Sequence, residues 1–133
     1  MRMLIVLLIV AVTGCVPATV EGLKEKPAGR ASFEVNRHYQ PVYRTILSQA
    51  RKCYQIGFGY GQLVVNGDLY TDLKTGTVAV TGGVGVNTFF AVEITALSDE
   101  VTRVDTYYAI ATWAHAARAV QAWVKDDAPG CSG

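Results

Sequence analysis

The stretch NTFFAVEITAL, residues 87–97, decides the fold, because apolar and polar side chains alternate along it. One set of alternating positions is wholly apolar and holds Phe90, Val92, Ile94 and Ala96. Glu93 and Thr95 occupy the other set. A period of two residues is typical of a β-strand with one face buried and the other in water. The stretch therefore predicts a sheet whose apolar face needs a covering layer.

The segments on either side of this strand predict further strands of the same sheet. Short connections containing glycine join them, and strands joined in this way pair antiparallel. The pair Asn66-Gly67 is typical of a tight turn or a bulge, and we expect one of these inside the second strand. The expected strands cover residues 32–35, 62–73, 77–81, 87–97 and 101–108.

Two segments with helical periodicity are available to cover the apolar face. Residues 38–54 place Val42 and Ile46 on one stripe, and residues 111–124 place Trp113 and Val120 on another. Amphipathic helices and a one-sided sheet bury their apolar surfaces against each other. The sequence therefore predicts a two-layer α+β domain of order βαββββα, with an antiparallel sheet and both helices on one face.

The N-terminal residues form a separate motif. Residues 4–12 are an uninterrupted apolar run, which suits a signal-peptide core and is too short to span a bilayer. The run ends in Val12-Thr13-Gly14-Cys15, which resembles the lipobox of bacterial lipoproteins. The resemblance implies a signal peptide over residues 1–14, cleavage between Gly14 and Cys15, and lipid on Cys15. An uncleaved anchor and a plainly secreted protein are the alternatives.

The segment after the lipobox predicts a tether. Residues 15–31 mix proline, glycine and charged residues without periodicity, which is typical of a flexible linker. A single folded domain is then expected over residues 32–133. Two or three acyl chains hold a protein stably at a membrane. Val16 stands where enteric lipoproteins kept in the inner membrane have aspartate, so the resemblance implies the periplasmic face of the outer membrane.

The cysteines predict one disulfide. If Cys15 carries lipid, Cys53 and Cys131 remain as a pair in an exported domain, where disulfides form and persist. The alternative is two free, buried thiols. Neither cysteine has a histidine at the spacing of a metal site, so we expect no metal and no cofactor.

The element order and the lipobox together resemble known envelope proteins. The order βαββββα is similar to helix-grip, or TBP-like, domains, including those of the C subunit of the β-barrel assembly machine, an outer-membrane lipoprotein. The sequence GDLYTDL at residues 67–73, after a helix ending in Cys53-Tyr54, also resembles small proteobacterial lipoproteins with no assigned activity. These resemblances imply a fold and a location, and they supply no reaction.

Composition and motifs favour an interaction module over an enzyme. The formal net charge is +1, which gives no basic excess for nucleic acid. The two histidines, His38 and His115, have no local partner of the kind that nucleophilic catalysis needs, so we expect no catalytic residue. We expect a protein partner of the cell envelope to bind the uncovered sheet face. The candidate residues of that face are Tyr70, Asp72, Glu93, Arg103 and Tyr107.

Two other functions remain open at this point. A helix-grip sheet that curves around a cavity would carry a small apolar ligand, and the aromatic residues that would line it are Phe89, Phe90, Tyr107 and Tyr108. A pair of strand carboxylates would serve an envelope hydrolase through acid–base chemistry, and the candidates are Asp68, Asp72 and Glu93.

Overall fold

The computed structural model describes residues 15–57, 61–83 and 87–132, so the predicted signal peptide lies outside the described residues. The chain forms an α+β domain with one antiparallel sheet of five strands, in the order β1-β5-β4-β3-β2. The predicted fold class is confirmed. The elements are α1 (Val20–Glu25), β1 (Gly29–Val35), α2 (Tyr39–Tyr54), β2 (Leu63–Tyr70), β3 (Thr75–Gly82), β4 (Asn87–Ala96), β5 (Thr102–Tyr108) and α3 (Ala114–Lys125), with a 3₁₀ turn at Ala111–Trp113 before α3.

Strand β4 lies at the centre of the sheet and carries its core. It pairs with β3, where Val78 lies opposite Val92, and with β5, where Val104 lies opposite Ile94. The side chains of Phe90, Val92 and Ile94 are buried on one face, as the alternation predicts. Helices α2 and α3 cover this face, and the resulting apolar cluster is the main core.

The ends of helix α2 follow from local side-chain chemistry. Nδ1 of His38 accepts a hydrogen bond from the backbone N–H of Gln40, so His38 caps the start of the helix. Arg51 and Lys52 lie in the last turn, where positive charge is stabilised by the helix dipole. The Arg37 guanidinium, just before α2, donates to the carbonyl of Val124 near the end of α3. The start of α2 therefore lies close to the end of α3.

The structure differs from the predicted tether over residues 15–31. Residues 20–25 form α1, and β1 begins at Gly29, three residues before the predicted domain start. The Oγ1 atom of Thr19 accepts from the N–H of Gly22 and caps α1. Leu23 is fully buried against the face of the sheet that was expected to be open. A helix of six residues is too short to show a periodic pattern in sequence, which explains the failed expectation.

The predicted turn or bulge at Asn66-Gly67 is wrong, since both residues lie inside β2 with regular pairing to β3. Gly67 is required there by a close approach of α2. A Cβ atom on Gly67 would lie 2.6 Å from the hydroxyl oxygen of Tyr43 and 2.7 Å from Cδ1 of Leu47. The glycine therefore lets the helix pack directly on the sheet.

The predicted disulfide between Cys53 and Cys131 is present, with the two Cα atoms 5.3 Å apart. Cys53 lies in the last turn of α2, and Cys131 lies beyond the end of α3 at Lys125. The chain after α3 folds back along that helix, where the indole N–H of Trp123 donates to the carbonyl of Gly130. The bond fixes this returning tail to the helix layer.

We expect Gly67→Ala to lower the free energy of unfolding by about 1–3 kcal/mol, because the added methyl group overpacks the contact with Tyr43 and Leu47. Gly61→Ala is the matched control, since a Cβ there meets nothing within 4 Å, and its change should stay within about 0.5 kcal/mol. Urea denaturation measures both. Equal effects of the two substitutions would contradict this explanation.

Replacing Cys53 and Cys131 together with serine should lower the free energy of unfolding by about 4 kcal/mol, because the bond closes a long loop in the unfolded chain. The sequence separation of the two cysteines is 78 residues. Cys15→Ser is the control and should leave the stability unchanged, since Cys15 is exposed and free. A reductant should destabilise the parent to the level of the double variant and leave that variant unaffected. A loss of stability in both chains would contradict this explanation.

Candidate functional site

The sheet face opposite α2 and α3, here called the back face, is half covered. Helix α1 lies on it, and Leu23 packs against Ala79 of β3, Ala91 of β4 and Tyr107 of β5. Ala91 and Leu23 are both fully buried. The centre of the sheet is therefore buried from both sides near the start of β4, while the rest of the back face has no helix of the described chain over it.

The segment before α1 is held to the sheet by backbone hydrogen bonds. The N–H of Thr88 donates to the carbonyl of Pro17 at 2.7 Å, and the Thr88 hydroxyl donates to the carbonyl of Ala18 at 3.2 Å. Thr88 is itself buried. These bonds fix the chain two residues after Cys15.

An ion pair joins the C-terminal part of α1 to the sheet. The ammonium of Lys24 donates to Oε1 of Glu93 on β4 at 2.6 Å, and both side chains are about one-third exposed. This hydrogen bond to Glu93 raises the pKa of Lys24 above its ordinary value, against a smaller opposing effect of burial. A partly exposed pair contributes little stability by itself, but it specifies where α1 docks.

The open half of the back face carries a row of polar residues across the strands. Strand pairing places Asp105 beside Glu93, Glu93 beside Thr77, and Thr77 beside Asp68. Next to this row, Thr95 of β4 lies beside Thr75, and Thr75 lies beside Tyr70 at the end of β2.

A cleft of about 310 Å³ lies between α1 and this open half. Val20 and Glu21 of α1 form one side, and the strand residues around Tyr70, Thr77 and Glu93 form the other. Tyr70 is 49% exposed and Leu73, which also lines the cleft, is 67% exposed. Large apolar side chains with carboxylates and hydroxyls around them form a mixed surface of the kind that binds a protein segment.

The five residues predicted for a binding face lie on or beside the back face, but they do not form one exposed surface. Tyr70 lies on the open half, and Asp72 lies exposed in the turn after β2. Arg103 is exposed, and its Nε donates to Oδ2 of Asp105 at 3.1 Å. Glu93 is held by Lys24 at the border between the covered and open halves. The open half therefore retains Tyr70, Asp72 and Arg103.

The expectation that Tyr107 is exposed is wrong. Tyr107 points to the back face as predicted, but it is only 7% exposed because α1 covers it. The guanidinium carbon of Arg30 lies 5.7 Å from the centre of its ring, which is a cation–π contact. Burial raises the pKa of the Tyr107 hydroxyl, and the carboxylates of Asp105 and Glu93 add to the increase. Tyr107 is a core residue of the α1 contact.

The residues predicted for a ligand carrier or a hydrolase do not come together in one site. They lie on different faces of the sheet, or they already pair with another side chain. Of the aromatic residues predicted to line one cavity, Phe90 belongs to the main core and Tyr107 lies on the opposite sheet face. Of the carboxylates predicted for a hydrolase, Glu93 pairs with Lys24, and Thr77 separates it from Asp68 in the cross-strand row.

The histidines have structural partners. His38 caps α2, and Nδ1 of His115 lies 2.6 Å from the carbonyl oxygen of Thr112. In the described ranges no group of three or more histidine, cysteine, aspartate or glutamate residues could hold a metal ion. Within the same ranges no helix has the length and hydropathy needed to cross a membrane.

Sequence reasoning missed Leu23 and Lys24, which decide how much of the back face is open. Leu23 is a lone large apolar residue in a charged segment, and Lys24 is one of two lysines there. No local pattern shows that they meet Tyr107 and Glu93, which lie about 70–85 positions later in the printed sequence. The two contacts become visible only when the sheet is assembled.

A cluster of aromatic side chains lies at the end of α2. The ring centre of Tyr54 is 5.4 Å from that of Trp113 in an edge-on arrangement and 6.2 Å from that of His115. Tyr54 is buried, and its hydroxyl has no hydrogen-bond partner among the described residues. Burial raises the pKa of this hydroxyl to about 12.

No model of a known protein family and no curated protein matches this chain. The candidate site therefore rests on the geometry of the chain alone.

We expect Tyr54→Phe to raise the free energy of unfolding at pH 7 by about 1 kcal/mol, because it removes a buried hydroxyl without a partner. The folded state also holds the Tyr54 proton more tightly than the unfolded chain, so the parent should lose stability as the pH rises from 10.0 to about 12. In the variant, this part of the loss should be absent.

Tyr39→Phe is the matched control, since the buried Tyr39 hydroxyl accepts a hydrogen bond from Nε2 of Gln40. Denaturation at pH 7 and at pH 11 measures all three chains. If Tyr54→Phe proved less stable at pH 7 than Tyr39→Phe, the described environment of Tyr54 would be wrong.

Proposed function

We propose that this chain is a bacterial lipoprotein, lipidated on Cys15, whose domain binds an envelope protein through the open half of the back face. The site would act by binding, without a reaction of its own. The lipid would hold the domain at the periplasmic face of the outer membrane. The observation that carries the binding part is the exposed pair Tyr70 and Leu73 in the cleft beside α1.

The position of Cys15 supports the lipidated form. Its thiol is exposed, and it is free because Cys53 and Cys131 bond to each other. An acyl-transferring enzyme would thus meet an accessible sulfur at the edge of the folded domain. The disulfide suits an exported domain, because disulfides persist in the periplasm and are reduced in the cytosol.

The chemistry of the open half supports protein binding. Tyrosine and leucine at the centre of an interface supply apolar area, and a polar rim supplies orientation and specificity. Here Tyr70 and Leu73 would supply the area, and Asp72, Arg103 and Glu21 would supply the rim. The backbone beneath the cleft is a paired sheet, so its shape is set before binding and the partner meets a rigid surface.

Two of the carboxylates on the back face already pair with basic side chains, which favours binding over catalysis. Lys24 occupies one oxygen of Glu93, and Arg103 occupies one oxygen of Asp105. Acid–base work requires a proton-carrying pair that converges on one point of the substrate. Strand pairing instead spreads Asp68, Glu93 and Asp105 along a row with Thr77 between the first two.

The lipidation test compares the parent with Cys15→Ala in cells grown with a radiolabelled fatty acid. We expect label on the parent, membrane association and a mature N-terminus at Cys15, and we expect all three to be lost in the variant, because the lipid supplies the anchor. Mass spectrometry identifies the modified residue. Unlabelled parent protein, or a membrane-bound and normally processed Cys15→Ala chain, would overturn the proposal.

The binding test places a photo-crosslinking amino acid at position 72, beside the cleft, in living cells. We expect an adduct with one envelope protein, and we expect Tyr70→Ala in the same chain to reduce its yield about tenfold, as loss of an aromatic anchor does. The control probe sits at position 121, since Gln121 is exposed on the helix layer. Equal adducts from positions 72 and 121, or no effect of Tyr70→Ala, would remove the proposed face.

A further inference from the structure

The segment that joins Cys15 to the folded domain is very short. The carbonyl groups of Pro17 and Ala18 accept hydrogen bonds from Thr88, so only Val16 separates Cys15 from the first fixed residue. Two residues span at most about 7 Å when fully extended. If the proposed lipidation holds, on which this inference rests, the part of the domain around Thr88 must lie at the membrane surface.

Thr88 marks one particular end of the sheet. It is the second residue of β4. The last residue of β3, Gly82, pairs with Asn87, the first residue of β4. Strand pairing brings the start of β2 and the end of β5 to this same end. We call it the attachment end, and the strand termini that define it are Gly29, Leu63, Gly82, Asn87 and Tyr108.

The connecting segments at the two ends of the sheet differ in charge. At the attachment end, the described residues 55–57, 61–62, 82–83, 87–88 and 109–114 contain no charged residue, and the connection 26–28 holds only Lys26. At the opposite end, each connection is charged: residues 36–38 hold Arg37, residues 71–74 hold Asp72 and Lys74, and residues 97–101 hold Asp99 and Glu100. An uncharged surface loses less favourable hydration than a charged one when it meets the interface of a bilayer.

Exposed apolar and basic side chains at the attachment end also suit a bilayer. Ile56 is 59% exposed and Ile110 is 41% exposed. Arg51 and Lys52, in the last turn of α2, lie close by, and Lys26 leads into the start of β1. Basic side chains next to apolar ones bind the phosphates of anionic lipids while the apolar groups enter the interface.

We propose that the attachment end rests on the bilayer that holds the Cys15 lipid, with Ile56 and Ile110 in the interfacial region. The strands then rise from the membrane, and the charged end points away from it. A β-strand rises about 3.3 Å per residue. The cleft, which is lined by residues 93–95 of β4, therefore stands about 20 Å from the bilayer. The partner would therefore bind from the aqueous side, in a fixed orientation.

Exposed apolar residues at the opposite end provide a matched test. The exposed fraction of Leu97, 46%, is similar to that of Ile110. The exposed fraction of Leu73, 67%, is similar to that of Ile56. The variants Ile110→Trp and Leu97→Trp place an indole at equal exposure on opposite ends. Ile56→Trp and Leu73→Trp form a second pair in case one of the first variants folds poorly.

The experiment reconstitutes each lipidated variant into vesicles of phosphatidylethanolamine and phosphatidylglycerol, with and without bromine on the acyl chains. Bromine quenches an indole that touches the acyl region. After subtraction of the parent signal, we expect about twofold or greater quenching for Ile110→Trp and Ile56→Trp, since interfacial groups reach the acyl boundary. The fluorescence of Leu97→Trp and Leu73→Trp should not change.

Mass spectrometry of the same preparations separates the two proposals. A lipidated protein in which both members of each pair are quenched equally, or in which the leucine positions are quenched more, overturns the orientation and leaves the lipoprotein proposal standing. A protein without lipid on Cys15 overturns both.

Discussion

The structure depends on the burial of both sides of one strand, β4. Phe90, Val92 and Ile94 face the helix layer, while Ala91 faces the opposite way and is equally buried. A strand at the centre of a sheet has no free edge, so only its two faces need protection from water. Helices α2 and α3 protect one face, and Leu23 of α1 protects Ala91 on the other. The rest of the architecture follows from these two covers.

The second cover links stability to the proposed anchor. Because α1 must reach Ala91, the chain just before it is drawn along the sheet and bonded to Thr88. The same contact that completes the core therefore fixes the segment next to Cys15. A flexible linker of the predicted length would let the domain tumble above a membrane. Under the proposed lipidation, the segment bonded to Thr88 would instead hold the domain in one orientation.

The size of α1 sets the shape of the candidate site. Its six residues cover Tyr107 and hold Glu93 through Lys24, and they leave Tyr70 and the start of β3 open. A longer helix would bury the cleft, and a missing one would expose Ala91 and Tyr107 to water. The polar row from Asp68 to Asp105 crosses the open half, and Lys24 of α1 reaches it at Glu93. The half-covered face therefore seals the core around Ala91 and leaves the cleft beside Tyr70 open.

The sequence by itself determined the strands, the two long helices and the Cys53–Cys131 pair. Alternation along β4 and the stripe on α2 are local patterns, and the count of cysteines left only one pair once Cys15 was set aside. Only the tertiary structure decided the contacts and the burial of Gly67, Leu23 and Tyr107. Gly67 looked like a turn because its role depends on Tyr43 from α2, and Tyr107 looked exposed because its cover comes from a six-residue helix far away in the chain. Contacts between distant segments leave no periodic trace in either segment, so they appear only when the chain has folded.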